Sequence, residues 1–179
     1  MENKTINHKN EAYLLEIKNL EQYFNIKTGF LKTSPLKAVD DISFAIKKGE
    51  TLGLVGESGC GKTTVGRTIL NLYKPTGGEI FHNGVKIDNR KTIKQFRRKA
   101  AMVFQDPYSS LNPRMTVGDI IGEPLDVHKL YSTRDERKQK IQELMTLVGL
   151  SSEHSTRYVH EFSGGQRQRI GIARALAVN

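Results

Sequence analysis

The chain has 179 residues, with 28 Lys and Arg against 19 Asp and Glu for a net charge of +9, and a single cysteine. Its length fits one domain with a real core, or one domain with a small inserted subdomain, and is too short for two full domains. Cys60 has no second cysteine to pair with, which excludes an internal disulfide framework and suits a reducing compartment. No apolar run approaches the roughly 18 residues that span a bilayer, which excludes a transmembrane helix in this sequence.

The positive charge is spread among Lys47-Lys48, Arg97-Arg98-Lys99 and the stretch from Arg134 to Lys140, so no dedicated nucleic-acid surface is expected. Residues 1–11 are polar, lack the apolar segment of a signal peptide and are expected to be disordered. A strand is expected from Tyr13 to Leu20, leading to the aromatic pair Tyr23-Phe24. Residues 27–36, with Gly29, Ser34 and Pro35, read as an inserted loop, and Leu36 to Ile46 as a second strand segment. After the turn Lys47 to Glu50 comes a short apolar run, Thr51 to Val55, expected as a strand.

The stretch Gly56-Glu57-Ser58-Gly59-Cys60-Gly61-Lys62-Thr63-Thr64 fits G-x-x-x-x-G-K-[ST], a phosphate-binding loop. Glycines let successive backbone N–H groups face one anion without Cβ clashes. A helix expected from Lys62 to Leu72, with Val65, Ile69 and Leu72 on one face, adds the positive end of its dipole, and Lys62 adds a full charge. The anion expected is a nucleotide polyphosphate, with the Thr63 hydroxyl offered to a bridging Mg²⁺. Cys60 reads as a small loop residue and not as a nucleophile.

Beyond the break at Lys74 to Gly78, Glu79 to Phe81 and Val85 to Ile87 flank His82-Asn83-Gly84, a hairpin signal. Lys91 to Lys99 is a basic helical candidate. Ala101 to Gln105 reads as a buried strand with a polar residue at its carboxyl end, where α/β sheets hold ligands, followed by a turn-rich loop over 106–113. From Thr116 the pattern is helical: Val117, Ile120 and Ile121 share one face, and Ile141, Leu144, Met145 and Val148 share another until Gly149 stops the helix. Met145 reads as core.

The second motif is Phe162-Ser163-Gly164-Gly165-Gln166-Arg167-Gln168-Arg169, continuing through Ala177. Ser163 and Gln166 have the S-x-x-Q spacing of a capping box, and Gly164 and Gly165 leave the helix terminus uncovered for an anion. An ordinary capped helix would gain nothing from two glycines costing roughly 1 kcal/mol each.

GESGCGKTT, the Gln105 loop and FSGGQRQRIGIARALA together resemble the nucleotide-binding subunits of ABC transporters. The longer stretches KAVDDISFAIKKGETLGLVGESGCGKTT, FQDPYSSLNPRMTVGDIIGEPL and RYVHEFSGGQRQRIGIARALA resemble the oligopeptide and dipeptide importer branch, from Leu14 to the end of the chain. The fold implied is α/β, a P-loop NTPase of the ABC type with an antiparallel β subdomain and an inserted helical subdomain. Its division would be an ATP-binding core at 12–113 and helical subdomain with signature helix at 114–179. The resemblance implies ATP and Mg²⁺ as cofactors, with Gly56, Glu57, Ser58, Gly59, Cys60, Gly61, Lys62, Thr63 and Thr64 holding the phosphates. Tyr23 would stack on adenine, although the adjacent Phe24 and the loop after it leave that alignment open.

Gln105 would contact Mg²⁺ and the attacking water while its loop meets the membrane subunit. Ser163, Gly164, Gly165 and Gln166 would contact the γ-phosphate held by an opposite subunit. Phe162 stands where the family usually has Leu. Implied partners are membrane-spanning permease subunits, a second ATP-binding subunit, identical or homologous, and indirectly an extracellular peptide-binding protein. The implied location is the cytoplasmic face of the membrane.

The family continues past the signature helix into an apolar strand ending in Asp-Glu and later a switch histidine, whereas this sequence stops at Asn179. His128, His154 and His160 precede the signature and do not match that switch. Weak ATP binding with little turnover is therefore expected. Nickel importers share the pattern, and a nucleic-acid-processing ATPase and a non-catalytic interaction fragment are the readings from other classes.

Overall fold

Partly alternating apolar residues in Leu15 to Lys27 and Thr33 to Ile46 build two long strands, β1 (Leu15–Lys27) and β2 (Thr33–Ile46). The structure is a computed structural model that describes residues 13–27, 29 and 33–178, so the expected disorder at 1–11 lies outside the described residues. The chain divides into two compact units, Met1–Phe96 and Arg97–Asn179.

In the first unit β1 and β2 join β3 (Gly77–His82) and β4 (Val85–Lys86) in an antiparallel sheet of order β2-β1-β3-β4. Ile17, Leu20, Val39 and Ile80 are buried. The β3–β4 turn is Asn83-Gly84, both at positive φ (48° and 74°), as the twist of a two-residue hairpin requires. Bulges coil β1 where Asn19 (φ 47°) faces Asp41 (φ 52°), and the Asn19 side-chain amide donates to Asp41 at 2.6 Å.

The inserted loop expected at 27–36 is shorter, because β1 runs to Lys27 and pairs with Thr33, and Asn25 pairs with Pro35. Proline is tolerated there because β2 is an edge strand, where the missing N–H faces no partner. Thr51 to Val55 is not a strand: it makes no ladder pairs, and Leu52, Leu54 and Val55 are exposed, Val55 by 89%. A strand of a parallel sheet needs neighbours along its edges and over its faces, and all strand pairs among the described residues lie within β1 to β4.

Helix α1 (Lys62–Ile69) turns Val65 and Thr68 into the core. It stops short of the expected Leu72 because Asn71 takes a left-handed φ of 56°, and the Leu72 and Asn71 amides donate back to Arg67 and Thr68 in a Schellman closure. Helix α2 (Arg90–Phe96) buries Phe96.

One buried polar group in β1 is mismatched. Gln22 is 4% exposed, and its Oε1 has no hydrogen-bond partner among the described residues. An orphaned carbonyl of this kind costs about 1–3 kcal/mol, so Gln22→Met, which keeps the volume, is expected to stabilise the chain by about 1 kcal/mol. That is a rise of roughly 2–4 °C in midpoint by calorimetry. An unchanged or lower midpoint contradicts the assignment.

The second unit is helical: α3 (Pro107–Ser110), α4 (Val117–His128), α5 (Arg134–Leu147) and α6 (Gly164–Leu176), with 3-10 turns at Ser152–Thr156 and Val159–Glu161. Its core joins Val117, Ile120, Ile121 and Leu125 of α4 to Ile141 and Met145 of α5 and Ile170 and Ala173 of α6. Phe162 is buried in the same cluster, its ring edge-on to His154, so the aromatic at this position fills the core. Thr116, Thr133 and Ser163 cap their helices, and Gly149 at φ 71° ends α5. Asp126 and Arg137 form a two-pronged pair at 2.7 and 2.8 Å, which holds the Asp126 carboxyl below the usual carboxylate range. Ala101 to Gln105, expected as a strand, is also unpaired, with Val103 exposed.

Candidate functional site

Glycine geometry shapes the loop before α1. Gly56, Gly59 and Gly61 all have positive φ, at 155°, 83° and 96°. A Cβ on Gly61 would lie 2.3 Å from the Ala38 carbonyl oxygen of β2, and a Cβ on Gly56 would lie 2.6 Å from the Cys60 Sγ. The loop therefore packs against the sheet at Gly61 and closes on itself at Gly56. The Cys60 amide donates to the Glu57 carbonyl at 3.3 Å, completing a turn around Ser58 and Gly59.

Gly61 is the N-cap of α1 and offers no side chain to the first amides, those of Lys62, Thr63 and Thr64. An eight-residue helix thus presents uncapped N–H groups and the positive end of its dipole. The Lys62 ammonium donates to the carbonyls of Gly56 at 2.7 Å and Glu57 at 2.6 Å, with Cys60 Sγ at 3.5 Å, so the charge is held over the loop by its own backbone. The Thr63 side chain is exposed, and the Thr68 hydroxyl turns inward to the Thr64 carbonyl at 2.7 Å. Uncapped amides, a lysine held over the loop, an exposed hydroxyl and open space at Gly59 fit a polyphosphate with a hard cation.

Tyr23 lies on β1 across from Lys37. Its hydroxyl donates to Asp40, whose other oxygen accepts from Lys37 at 3.1 Å, and the Lys37 ammonium sits 5.2 Å from the ring centroid. The bond to Asp40 raises the Tyr23 pKa and lowers that of Asp40. Phe24 instead packs edge-on against Tyr73 at 5.2 Å. Asp40 and Lys37 were not singled out in the sequence, where only their i, i+3 spacing hinted at a pair.

In the second unit, Gln105 is an exposed bend residue. Asp106 caps α3 by accepting from the Tyr108 amide at 2.9 Å, and hydrogen bonds from the Ser109 side chain and the Tyr108 amide lower its carboxyl pKa. The capping box at the start of α6 is present in both directions: the Ser163 amide donates to Gln166 Oε1 at 2.9 Å, and the Gln166 amide to Ser163 Oγ at 3.4 Å. That box uses the third amide of the helix and leaves those of Gly164 and Gly165 without a side-chain acceptor. Gly165 has open space around it, and Gly164 lies beside the Tyr108 hydroxyl. Among the described residues no group of three His, Cys, Asp or Glu side chains could hold a metal ion, and no helix is long and apolar enough to cross a membrane.

Anion binding by main-chain amides at a glycine-shaped turn, with a lysine opening the following helix, is the working part of P-loop nucleotide-binding domains, the class that this fold and site define. Comparison with known proteins narrows the class: the chain belongs to the ABC transporter family, whose model matches residues 39–179. It is 62% identical over 169 residues to the oligopeptide transport ATP-binding protein OppF of Bacillus subtilis, covering 93% of this chain and 54% of that one. To the dipeptide transport ATP-binding protein DppF of Lactococcus lactis it is 54% identical, covering 92% and 53%.

Among solved structures, a dimeric post-hydrolysis state of the ATP-binding cassette MJ0796 bound to ADP and phosphate superposes with a TM-score of 0.78 at 31% identity, covering 92% of this chain and 70% of that one. CbiO1 of Clostridium perfringens, part of the cbiONQ transporter complex, gives 0.71 at 25% identity, covering 94% and 62%. The chain spans about half the length of the curated relatives it matches.

Proposed function

We propose that this chain acts as the ATP-binding part of a subunit that energises import of oligopeptides or dipeptides across the cytoplasmic membrane. The observation that carries the reading is the Gly56 to Thr64 loop, three positive-φ glycines leading to an uncapped helix that opens on Lys62. The peptide substrate rests on the names of relatives more than 50% identical over most of the chain.

In this reading the loop amides and Lys62 bind the phosphates, and Thr63 supplies a hydroxyl oxygen to Mg²⁺, which neutralises charge on the phosphates when bound. Tyr23 is proposed beneath adenine, with Phe24 the alternative on the same strand. Phe24 is two residues from Gln22, whose cross-strand partner Val39 lies against Gly61. Gln105 is proposed to orient water. Its amide can hydrogen-bond that water but cannot take its proton, so the role proposed for it is orientation and not general-base catalysis.

Ser163, Gly164, Gly165 and Gln166 are proposed to meet the nucleotide of a second ATP-binding subunit, identical or homologous. Permease subunits, and indirectly a peptide-binding protein, complete the assembly at the cytoplasmic face.

Ser163→Arg tests the division of labour between the two motifs. The variant is expected to keep MgATP affinity within about threefold of the parent chain, while losing association between copies at saturating MgATP by light scattering. Equal loss of ATP affinity and of association would place Ser163 in the chain's own nucleotide site and contradict the proposal.

A further inference from the structure

Helix α6 carries arginines at 167, 169 and 174, and all three donate to main-chain carbonyls. Arg167 reaches Val159 and His160, both at 3.0 Å, Arg169 reaches Gly149 at 3.3 Å, and Arg174 reaches Ser110 at 2.8 Å. The acceptors of Arg169 and Arg174 lie at the C-terminal ends of α5 and α3, where carbonyls lack helical partners and the dipole is negative, whereas those of Arg167 belong to the short 3-10 turn Val159–Glu161. Arginine is suited to this task, since its planar fork stays charged and donates in several directions.

Arg174 is the unusual one. Its guanidinium is about half-buried, burial lowers its pKa against a weaker opposing pull from the Glu123 carboxylate, and no carboxylate among the described residues lies within ion-pair distance of it. Holding a cation there costs free energy that one carbonyl only partly offsets. Its bond goes to the last residue of α3, in the loop that follows Gln105. Two further contacts join the same loop to the same helix: Gln168 Nε2 donates to the Phe104 carbonyl at 3.5 Å, and the Arg167 guanidinium lies 4.2 Å from the Tyr108 ring centroid. Arg167 and Arg174 are two helical turns apart and so share a face. Loop 104–110 is thus fastened at its start, its middle and its end to α6, whose N-cap is Ser163.

We infer that Arg174 is a positioning residue that fastens the Gln105 loop to the signature helix, so that the loop and the Ser163 terminus move as one piece. A displacement of the loop is then passed to the anion-facing end of α6 without repacking the core of α4 and α5. The meaning of this link for transport rests on the function proposed above, whereas the link itself can be measured without nucleotide.

The experiment is amide hydrogen exchange on the full chain for the parent, Arg174→Met and Arg174→Lys. Arg174→Met is expected to speed exchange in residues 105–111 by about tenfold while α5 is unchanged, and Arg174→Lys, which keeps a cationic donor, to bring the loop back within about threefold of the parent. Unchanged loop exchange, or equal acceleration across α4, α5 and α6, overturns the inference and leaves Arg174 a packing residue.

Should Arg174→Met unfold the unit, Gln168→Met, which cuts the link at Phe104 and keeps the side-chain volume, decides in the same way. Faster exchange confined to 104–111 supports the inference, and no change overturns it. Addition of MgATP reports separately on Gly56 to Thr64: absence of protection there defeats the proposed function while leaving the loop comparison valid.

Discussion

Lys62→Ala is expected to lower the affinity of this chain for MgATP by about ten- to hundredfold, because a hydrogen bond to a charged group contributes roughly 1.5–3 kcal/mol. The ammonium already sits over the loop, held by the carbonyls of Gly56 and Glu57, so a bound phosphate gains a placed charge at little cost in side-chain ordering. Lys62→Arg is expected to recover little of the loss, since a planar guanidinium does not fit between two carbonyls arranged for a compact ammonium. Isothermal titration checks both variants. Near-parental affinity in Lys62→Ala would mean that the loop amides alone carry binding.

Gly61→Ala is expected to have the largest effect on folding of the loop. Two separate costs fall on this position. A left-handed φ of 96° costs a residue with a side chain about 1–2 kcal/mol, and the new Cβ would meet the Ala38 backbone oxygen at 2.3 Å, an overlap that only backbone movement relieves and that adds about 1–3 kcal/mol. The neighbours give a graded comparison. Gly59→Ala has φ of 83° but open space, so it should show the conformational cost alone, and Gly53→Ala, with neither constraint, should be near neutral. Urea denaturation should rank the three with Gly61→Ala worst and Gly53→Ala least affected, and Gly61→Ala should also lose MgATP binding. Equal destabilisation at Gly59 and Gly61 would show that the contact with β2 does not matter.

Local chemistry made much of this molecule legible in the sequence. Asn83-Gly84 announced its hairpin, Gly149 its helix end, and Ser163 with Gln166 the capping box found at α6, because each depends on residues within four positions of one another. Asn71, a left-handed terminator of α1, was equally local and was missed because glycine is the commoner residue there.

What was not legible depends on distant partners. The apolar runs Thr51 to Val55 and Ala101 to Gln105 look like strands, yet a strand exists only where a neighbour supplies ladder bonds, and none does among the described residues. Pro35 read as a loop because its edge position in the sheet is a tertiary fact. Likewise Arg174 meets Ser110 and Gln168 meets Phe104 across 64 residues of sequence, and the Tyr23 hydroxyl finds Asp40 across a bulged strand pair. The phosphate loop itself was legible because its glycines, lysine and threonine are contiguous. The ties around Gln105 were not.

The most direct test of the central claim, that Gly56 to Thr64 is a nucleotide site, is residue-resolved amide exchange of the unmodified chain with and without MgATP. Saturable protection centred on residues 56–64, lost on chelation of Mg²⁺, is the predicted result. Absence of protection there at millimolar MgATP, with the chain folded, would contradict it.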